Sequence, residues 1–503
     1  MCDSNKSYGQ ILKSSSIMGG AAGINLLLGM FRVKFAALLM GTTGVGLLAS
    51  FTSIQGFTSA LFGLGIQSSA VREVAAAVGR QDEQAIGRAV LTLRRVCWLT
   101  GLVGMVVMMA FSPILSQLTF GSDAYTVDIA ALGLVILFGN LSGGQMVLLQ
   151  GMRRIGELAS VTILGAVLAT LAAIGFYAWL DLRGIAPALV SIAAIQLVLS
   201  WHFARSVPVF PVVLGVRQTF QEASGMVRLG LVFMWNGLLG SAVSYLTVTY
   251  ITQHVSLQAV GLYSAAFALS GIFVNFVLGA MGADYYPRLT AVAYDKAAVN
   301  RLVNEQTEIG LLLAVPGLLA TLALAPWIIH IFYSSEFLPA VELLRWFILG
   351  CMGRVISWPL GFVMLALGKG KWFFATETAA NFAHLAFIAF GIAMFGLTGV
   401  AIAFFVLYIG YTLVVLAVAH QLTGFAWSAI CLRLIALTLV TLALTFIATS
   451  SLPLWPSTLA GATITVVGAT CSLRMLVQII GTQHRITRAV CKFPGMKLVC
   501  GLK

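Results

Sequence analysis

Charge is what this chain has least of. Asp, Glu, Lys and Arg make up 9% of its 503 residues, against roughly 25% in a soluble domain. Hydrophobic residues make up 60%. A soluble core cannot hide that much apolar surface, so a water-soluble enzyme or binding module is excluded. Alternating strands of barrel type are missing too. The apolar runs reach about 20 residues or more, so the expected class is an all-α polytopic membrane protein. The cysteines, Cys2, Cys97, Cys351, Cys431, Cys471, Cys491 and Cys500, form no CxxC and no metal-ligand spacing. Most lie in or beside apolar runs, as small packing residues or cytoplasmic thiols. HExxH is absent, and GKGK at 368–371 lacks the strand and the spacing of a P-loop. No metal and no cofactor is expected, so energy would come from an ion gradient or from substrate flow. No cleavable signal is expected either, because the first apolar run is too long for one.

Fourteen spans are read from the apolar runs, at about 13–40, 46–76, 92–117, 125–149, 158–180, 184–204, 229–252, 257–287, 309–333, 338–367, 372–395, 397–420, 429–449 and 455–476. The net charge of +13 invites a nucleic-acid partner, but its distribution says otherwise. With the N-terminus inside, 24 of the 29 Lys and Arg residues fall on inside segments and one, Arg183, falls outside. The other four, Arg32, Lys34, Arg345 and Arg354, lie within spans. That imbalance is the positive-inside pattern. It points to a bacterial inner membrane, with both termini cytoplasmic and no nucleic-acid partner. The outside loops are too short to fold into a domain. The longest inside connection contains VRQTFQEASGMVRLG, which reads as a short amphipathic interfacial helix.

An internal repeat divides the chain. Val45-Gly46-Leu47 opens the second span and Arg72 closes it; Val260-Gly261-Leu262 opens the eighth and Arg288 closes it. Gly151-Met152-Arg153-Arg154 follows the fourth span and Gly368-Lys369-Gly370-Lys371 follows the tenth. Both matches lie six spans apart, so orientation is preserved and the repeat is parallel. The expected organisation is a six-helix lobe at 1–205 and a second at 206–421, the latter starting with an amphipathic linker. Two additional helices at 422–478 and a basic cytoplasmic tail at 479–503 follow.

A cation inside a bilayer costs about 2.5–3.5 kcal/mol on insertion scales, so it usually faces a bundle interior and has a partner. Arg32 and Lys34 lie in the outer half of the first span and Arg354 near the middle of the tenth. Arg345 lies nine residues from Arg354 and points to another side of the helix. Acids are scarce at depth, with Asp128, Glu377, Glu73 and Asp284 near span ends. A basic cavity favours an anionic ligand, and a phosphate or diphosphate suits Arg by bidentate pairing. Arg32, Lys34 and Arg354 are therefore the candidate diphosphate-binding residues. Arg72 with Glu73, and Asp284 with Arg288, pair an acid and a base at the inner mouths of the two halves. They are the candidate inner gate, against the plainer reading of solvated helix-end pairs.

The stretch FRVKFAALLMGTTGVGLLASFTSIQGFTSALFGLGIQSSAVREVAAA resembles the first helix pair of the Wzx-type oligosaccharide flippases, the O-antigen translocases. GADYYPRLT at 282–290 resembles the matching end of their eighth helix. The resemblance covers roughly 1–420, within the superfamily of multidrug, oligosaccharidyl-lipid and polysaccharide exporters. It implies two six-helix lobes in a V around a cavity, working by alternating access. The implied substrate is an undecaprenyl-diphosphate-linked oligosaccharide, moved from the cytoplasmic to the periplasmic leaflet. The family's first-helix bases map onto Arg32 and Lys34, whereas the acid of the multidrug branch's first helix has no counterpart here. Expected partners are this lipid-linked oligosaccharide, membrane lipids and the polysaccharide polymerase machinery. The rivals are a lipid II flippase, a drug/cation exporter and, from another class, a membrane polymerase or acyltransferase.

Overall fold

The computed structural model describes residues 2–480. The expected basic tail lies outside them apart from its first two residues, as do Cys491 and Cys500. The side chains of residues 2–15, Lys6 and Lys13 among them, and of Val216, Leu229, Val232, Phe233, Asn236, Ala283 and Ile480 also lie outside the description. Among the described residues every regular element is a helix: α1 Cys2–Gly63, α2 Ile66–Gly79, α3 Glu83–Phe120, α4 Thr126–Gly151, α5 Ile155–Leu180, α6 Ile185–Ala204, α7 Val216–His254 and α8 Leu257–Ala291. They continue with α9 Lys296–Ala323, α10 Ala325–Phe332, α11 Ala340–Ala366, α12 Gly370–Phe395, α13 Thr398–Thr423, α14 Ala429–Ser451 and α15 Leu454–Ile480.

The protein is a multi-pass membrane protein. Among the described residues, 11 helical stretches are long and apolar enough to cross a membrane. Two of them, Ser16–Gly63 and Ile155–Ala204, run to 48 and 50 residues. The latter holds two expected spans. The former holds most of the first and only the first part of the second, expected at 46–76, which breaks at Leu64 and Gly65 before α2. The seventh expected span lies inside α7. Within α1 the helix kinks at Gly41, whose φ of 64° and ψ of −162° leave the helical region. Only glycine takes that backbone conformation without strain. The connection expected as a short helix of its own is instead the first turns of α7, which continue unbroken into the seventh span.

The chain divides into two compact units, Met1–Gly261 with Phe332–Ser334, and Leu262–Ile331 with Ser335–Lys503. In the first unit α3 packs on α4, α4 on α6, and α1 on both α5 and α7. Small residues let these helices approach. A Cβ on Gly133 would stand 2.9 Å from the Met105 carbonyl oxygen, and one on Gly144 would stand 3.0 Å from the Cys97 sulfur. Buried Ile66, Leu93, Leu149 and Met226 belong to the core that ties α2, α3, α4 and the start of α7 together. In the second unit α11 packs on α13 and on α9, and α12 packs on α13. Its core includes buried Tyr285, Leu360, Val415 and Phe425. The two C-terminal helices both pack on α9, and hydrogen bonds from the residue before α14 fix its start there. Ser428 donates its backbone N–H to Asn304 Oδ1 at 2.7 Å and its hydroxyl to Glu308 Oε1 at 2.8 Å.

The two copies of the Val-Gly-Leu repeat meet each other. A Cβ on Gly46 would stand 2.0 Å from the Leu257 carbonyl oxygen and 3.1 Å from the Gly261 nitrogen. Conversely, a Cβ on Gly261 would stand 2.1 Å from the Thr42 carbonyl oxygen. A motif visible in sequence as a duplication is thus a backbone-to-backbone contact within the first unit.

Candidate substrate-binding residues

The first unit presents Arg32 and Lys34 half-buried on the first half of α1. Two positions along a helix, they leave it about 200° apart. They therefore meet different surroundings. Lys34 donates to the backbone carbonyl of Tyr333, 299 residues on and in the same compact unit. Arg32 lies on the side where α1 meets α5. Its charge bears on the buried Tyr177 of α5, and one turn back the Leu28 carbonyl accepts from Thr170 at 3.5 Å. Among the described residues no carboxylate lies within ion-pair distance of Arg32. An Arg at this depth without a protein counter-ion is what an anionic ligand needs.

The second unit holds Arg354, half-buried on α11. Its surroundings are more mixed in charge than the sequence reading expected. Tyr408 of α13 feels both the Arg354 cation and the Glu377 carboxylate. One helical turn further on, Tyr411 donates its hydroxyl to Glu377 Oε1. Asn381, one turn along α12, donates to the Glu377 carbonyl at 2.8 Å, and Thr412 donates to the Gly353 carbonyl at 3.3 Å. Arg354, Glu377, Tyr408 and Tyr411 thus form a polar cluster on α11, α12 and α13. Sequence reasoning set Glu377 aside as a span-end acid and passed over both tyrosines. The available signal was Tyr408 and Tyr411, three residues apart on one helix face. Arg345 differs from Arg354: its Nε is buried with no hydrogen-bond partner among the described residues, and Glu342 sits one turn away.

The gate candidates lie in separate units. Arg288 donates Nη1 to Asp284 Oδ2 at 3.1 Å, with both side chains more than half exposed. An i,i+4 surface pair of this kind contributes about 0.3–0.5 kcal/mol. Arg72 is exposed and Glu73 half-buried on α2, past the end of the apolar span at Gly63. The sequence reading missed Glu222 of α7, a second acid facing Glu73. Arg88 lies 3.5 Å from Glu222 Oε1, and Thr92 donates to Oε2 at 3.4 Å. The helices meet where a Cβ on Gly65 would stand 2.2 Å from the Gly230 carbonyl oxygen. Gly65 itself has φ 60°, and a Cβ on Gly230 would stand 2.4 Å from the Leu64 carbonyl oxygen, so the seat of the α1–α2 joint on α7 depends on a glycine from each side.

Burial and the Glu222 carboxylate raise the Glu73 pKa, and the adjacent Arg72 offsets this in part. A carboxyl whose folded pKa is raised favours the folded state below its unfolded pKa of about 4.3. That contribution is lost as the pH rises through the folded value. Glu73→Gln is therefore expected to raise the melting temperature of the purified protein at pH 7 and to leave it unchanged near pH 4. Thermal unfolding at both pH values checks this, and equal effects at the two would contradict it.

A family model described as "Polysaccharide biosynthesis protein" matches residues 37–342. A protein named "Lipid III flippase" from Escherichia coli strain K12 is 24% identical over 411 residues, covering 77% of this chain and 92% of that protein. A protein of the same name from Shigella flexneri matches to the same extent. Among solved structures, "Lipid II flippase MurJ, inward closed conformation" superposes with a TM-score of 0.63 at 14% identity, covering 92% of this chain and 99% of that one. The inward-facing conformation of a multidrug resistance MATE family transporter of the MOP superfamily superposes with a TM-score of 0.65 at 14% identity, covering 80% and 96%. At such identities the two structures share the fold.

Proposed function

Because the chain belongs to the polysaccharide biosynthesis protein family, we propose that it flips an undecaprenyl-diphosphate-linked oligosaccharide from the cytoplasmic to the periplasmic leaflet. It does so by alternating access of two six-helix lobes, 1–205 and 206–421, in assembly of an O-antigen or related surface polysaccharide. The observation that carries this reading is Arg32, half-buried in the first membrane helix with no carboxylate in reach among the described residues. Arg32 takes the diphosphate, with Lys34 and Arg354 as supporting bases. The diphosphate anion makes up for what it costs to hold a guanidinium at membrane depth. The polyprenyl tail stays in lipid, and Arg72, Glu73, Asp284 and Arg288 close the inner side. An ion gradient or substrate flow drives the cycle, and the chain itself makes or breaks no covalent bond. It works in the inner membrane, with both termini in the cytoplasm, alongside the polymerase machinery.

Two observations bear on the choice among lipid-linked substrates. The curated relatives are named for lipid III, which supports a lipid-linked substrate. The match to a lipid II flippase structure leaves only 8% of the chain uncovered, a share smaller than the two C-terminal helices, so the likeness extends into them. That keeps lipid II flipping as the second reading. A drug or cation exporter is less well supported, since the described side chains of α1 include no acid to exchange for a cation.

Deletion of the gene tests the assignment. The expected result is loss of one surface glycan and build-up of its complete lipid-linked oligosaccharide unit, with peptidoglycan synthesis intact. Build-up of the peptidoglycan precursor instead would establish the second reading.

A further inference from the structure

The first unit contains a cavity of about 500 Å³, lined by Leu64, Val96, Leu99, Phe220, Ala223 and Val227 together with a few polar residues, among them Arg95 and Thr219. It lies where α3 meets the start of α7, beside the α1–α2 joint. None of the substrate-binding candidates lines it. Leu99 is 51% and Phe220 61% exposed, so the groove opens onto the apolar surface of a membrane helix. Hydrocarbon, not water, suits such a lining.

Arg95 sets the polarity of the groove. Its Nη1 donates to the Leu214 carbonyl at 2.9 Å and to the Thr219 hydroxyl at 2.6 Å. Those two bonds hold the guanidinium against the start of α7. They leave Nε–H and the Nη2 hydrogens, the side-on fork that pairs with two oxygens of a phosphate. Among the described residues no carboxylate lies within ion-pair distance of Arg95. Arg95 is exposed and belongs to the bases at the inner end of the third span, the level at which phospholipid phosphates lie.

We propose that this groove binds an anionic glycerophospholipid, with one acyl chain between α3 and α7 and its phosphate on Arg95. A single guanidinium with one nitrogen already committed matches a singly charged phosphodiester better than a diphosphate, which calls for several bases. The bound lipid braces the start of α7 against α3, so its loss loosens the junction that also seats Glu73 and Glu222. The site is independent of the transported substrate.

Native mass spectrometry of the purified full-length protein tests this, using phosphatidylglycerol and phosphatidylcholine with identical palmitoyl-oleoyl chains. The wild type is expected to retain phosphatidylglycerol preferentially. Arg95→Gln should weaken that binding about tenfold or more, as expected for losing a charge-assisted pair. Arg80→Gln, which removes the same charge from an exposed site after α2, should change it little. Ala223→Phe narrows the groove and should reduce retention with Arg95 intact. Equal retention of the two lipids by the wild type, or an undiminished preference in Arg95→Gln, would overturn the proposal. So would displacement of phosphatidylglycerol from the wild type by equimolar undecaprenyl phosphate, which would give the groove to the carrier lipid. If Arg95→Gln does not fold, the wild-type comparison and Ala223→Phe still decide.

Discussion

Arg32→Ala is expected to insert and accumulate like the wild type but to export surface glycan about 10- to 100-fold more slowly. That range follows from about 1.5–3 kcal/mol for a hydrogen bond to a charged group, with each 1.4 kcal/mol worth tenfold. Arg32→Lys keeps the charge but loses the planar fork, so it should retain part of the export. The comparison separates charge from geometry. Quantitative gel analysis of surface glycan in a deletion strain, matched for membrane protein level, reads both variants. Lys34 provides an internal contrast. Its ammonium already donates to the Tyr333 carbonyl, so Lys34→Ala should show part of its effect as lost stability. Arg32→Ala should show its effect in export alone. Full export by Arg32→Ala would remove Arg32 from the site.

The second large effect is structural. Gly46→Ala and Gly261→Ala each place a methyl group about 2 Å from a backbone carbonyl oxygen, that of Leu257 and that of Thr42 respectively. Backbone cannot swing aside as a flexible side chain can, so the helices must part. The expected cost is about 3 kcal/mol, the upper end of the overpacking range. Gly56→Ala on the same helix is the control, because a Cβ there meets nothing within 4 Å. It should be neutral or slightly stabilising, since Ala is the better helix former. The double variant Gly46→Ala/Gly261→Ala should cost less than the sum, because the first methyl already separates the backbones. Thermal unfolding of the purified proteins measures all four. A neutral Gly46→Ala would contradict the contact between the repeat copies.

Much of this fold was legible in the sequence for a simple reason. Membrane helices must be apolar over their whole crossing and must satisfy their own backbone, so span positions follow from composition. Breaks inside an apolar run are less visible. The kink at Gly41 falls in the Gly/Thr stretch left between the spans read at 13–40 and 46–76, but the break at Leu64 and Gly65 lies inside the second of those spans. The Val-Gly-Leu duplication was legible as a repeat, but nothing in sequence said that its two copies touch.

The polar sites were only half legible. Arg32 stood out because a base in apolar sequence is costly wherever it points. Its lack of a nearby carboxylate depends on every neighbour and appears only in three dimensions. The same holds for Glu73 and Glu222, which are 149 positions apart in sequence but face each other across α2 and α7. Glu377 was undervalued for a different reason. Its significance comes from Tyr408 and Tyr411 on the next helix, and tyrosine in an apolar run looks like packing until its hydroxyl is placed.

The central claim is transport of a diphosphate-linked glycan lipid, and it can be measured with purified components. Wild-type protein and Arg32→Ala would be reconstituted into vesicles whose outer leaflet is loaded with an undecaprenyl-diphosphate-linked oligosaccharide. A membrane-impermeant glycosidase added outside then reports how much headgroup has become protected. Protection that rises with time for the wild type, and at least tenfold more slowly for Arg32→Ala, is the predicted result. Headgroup that stays fully accessible with correctly folded wild-type protein, under an imposed ion gradient and without one, would contradict it.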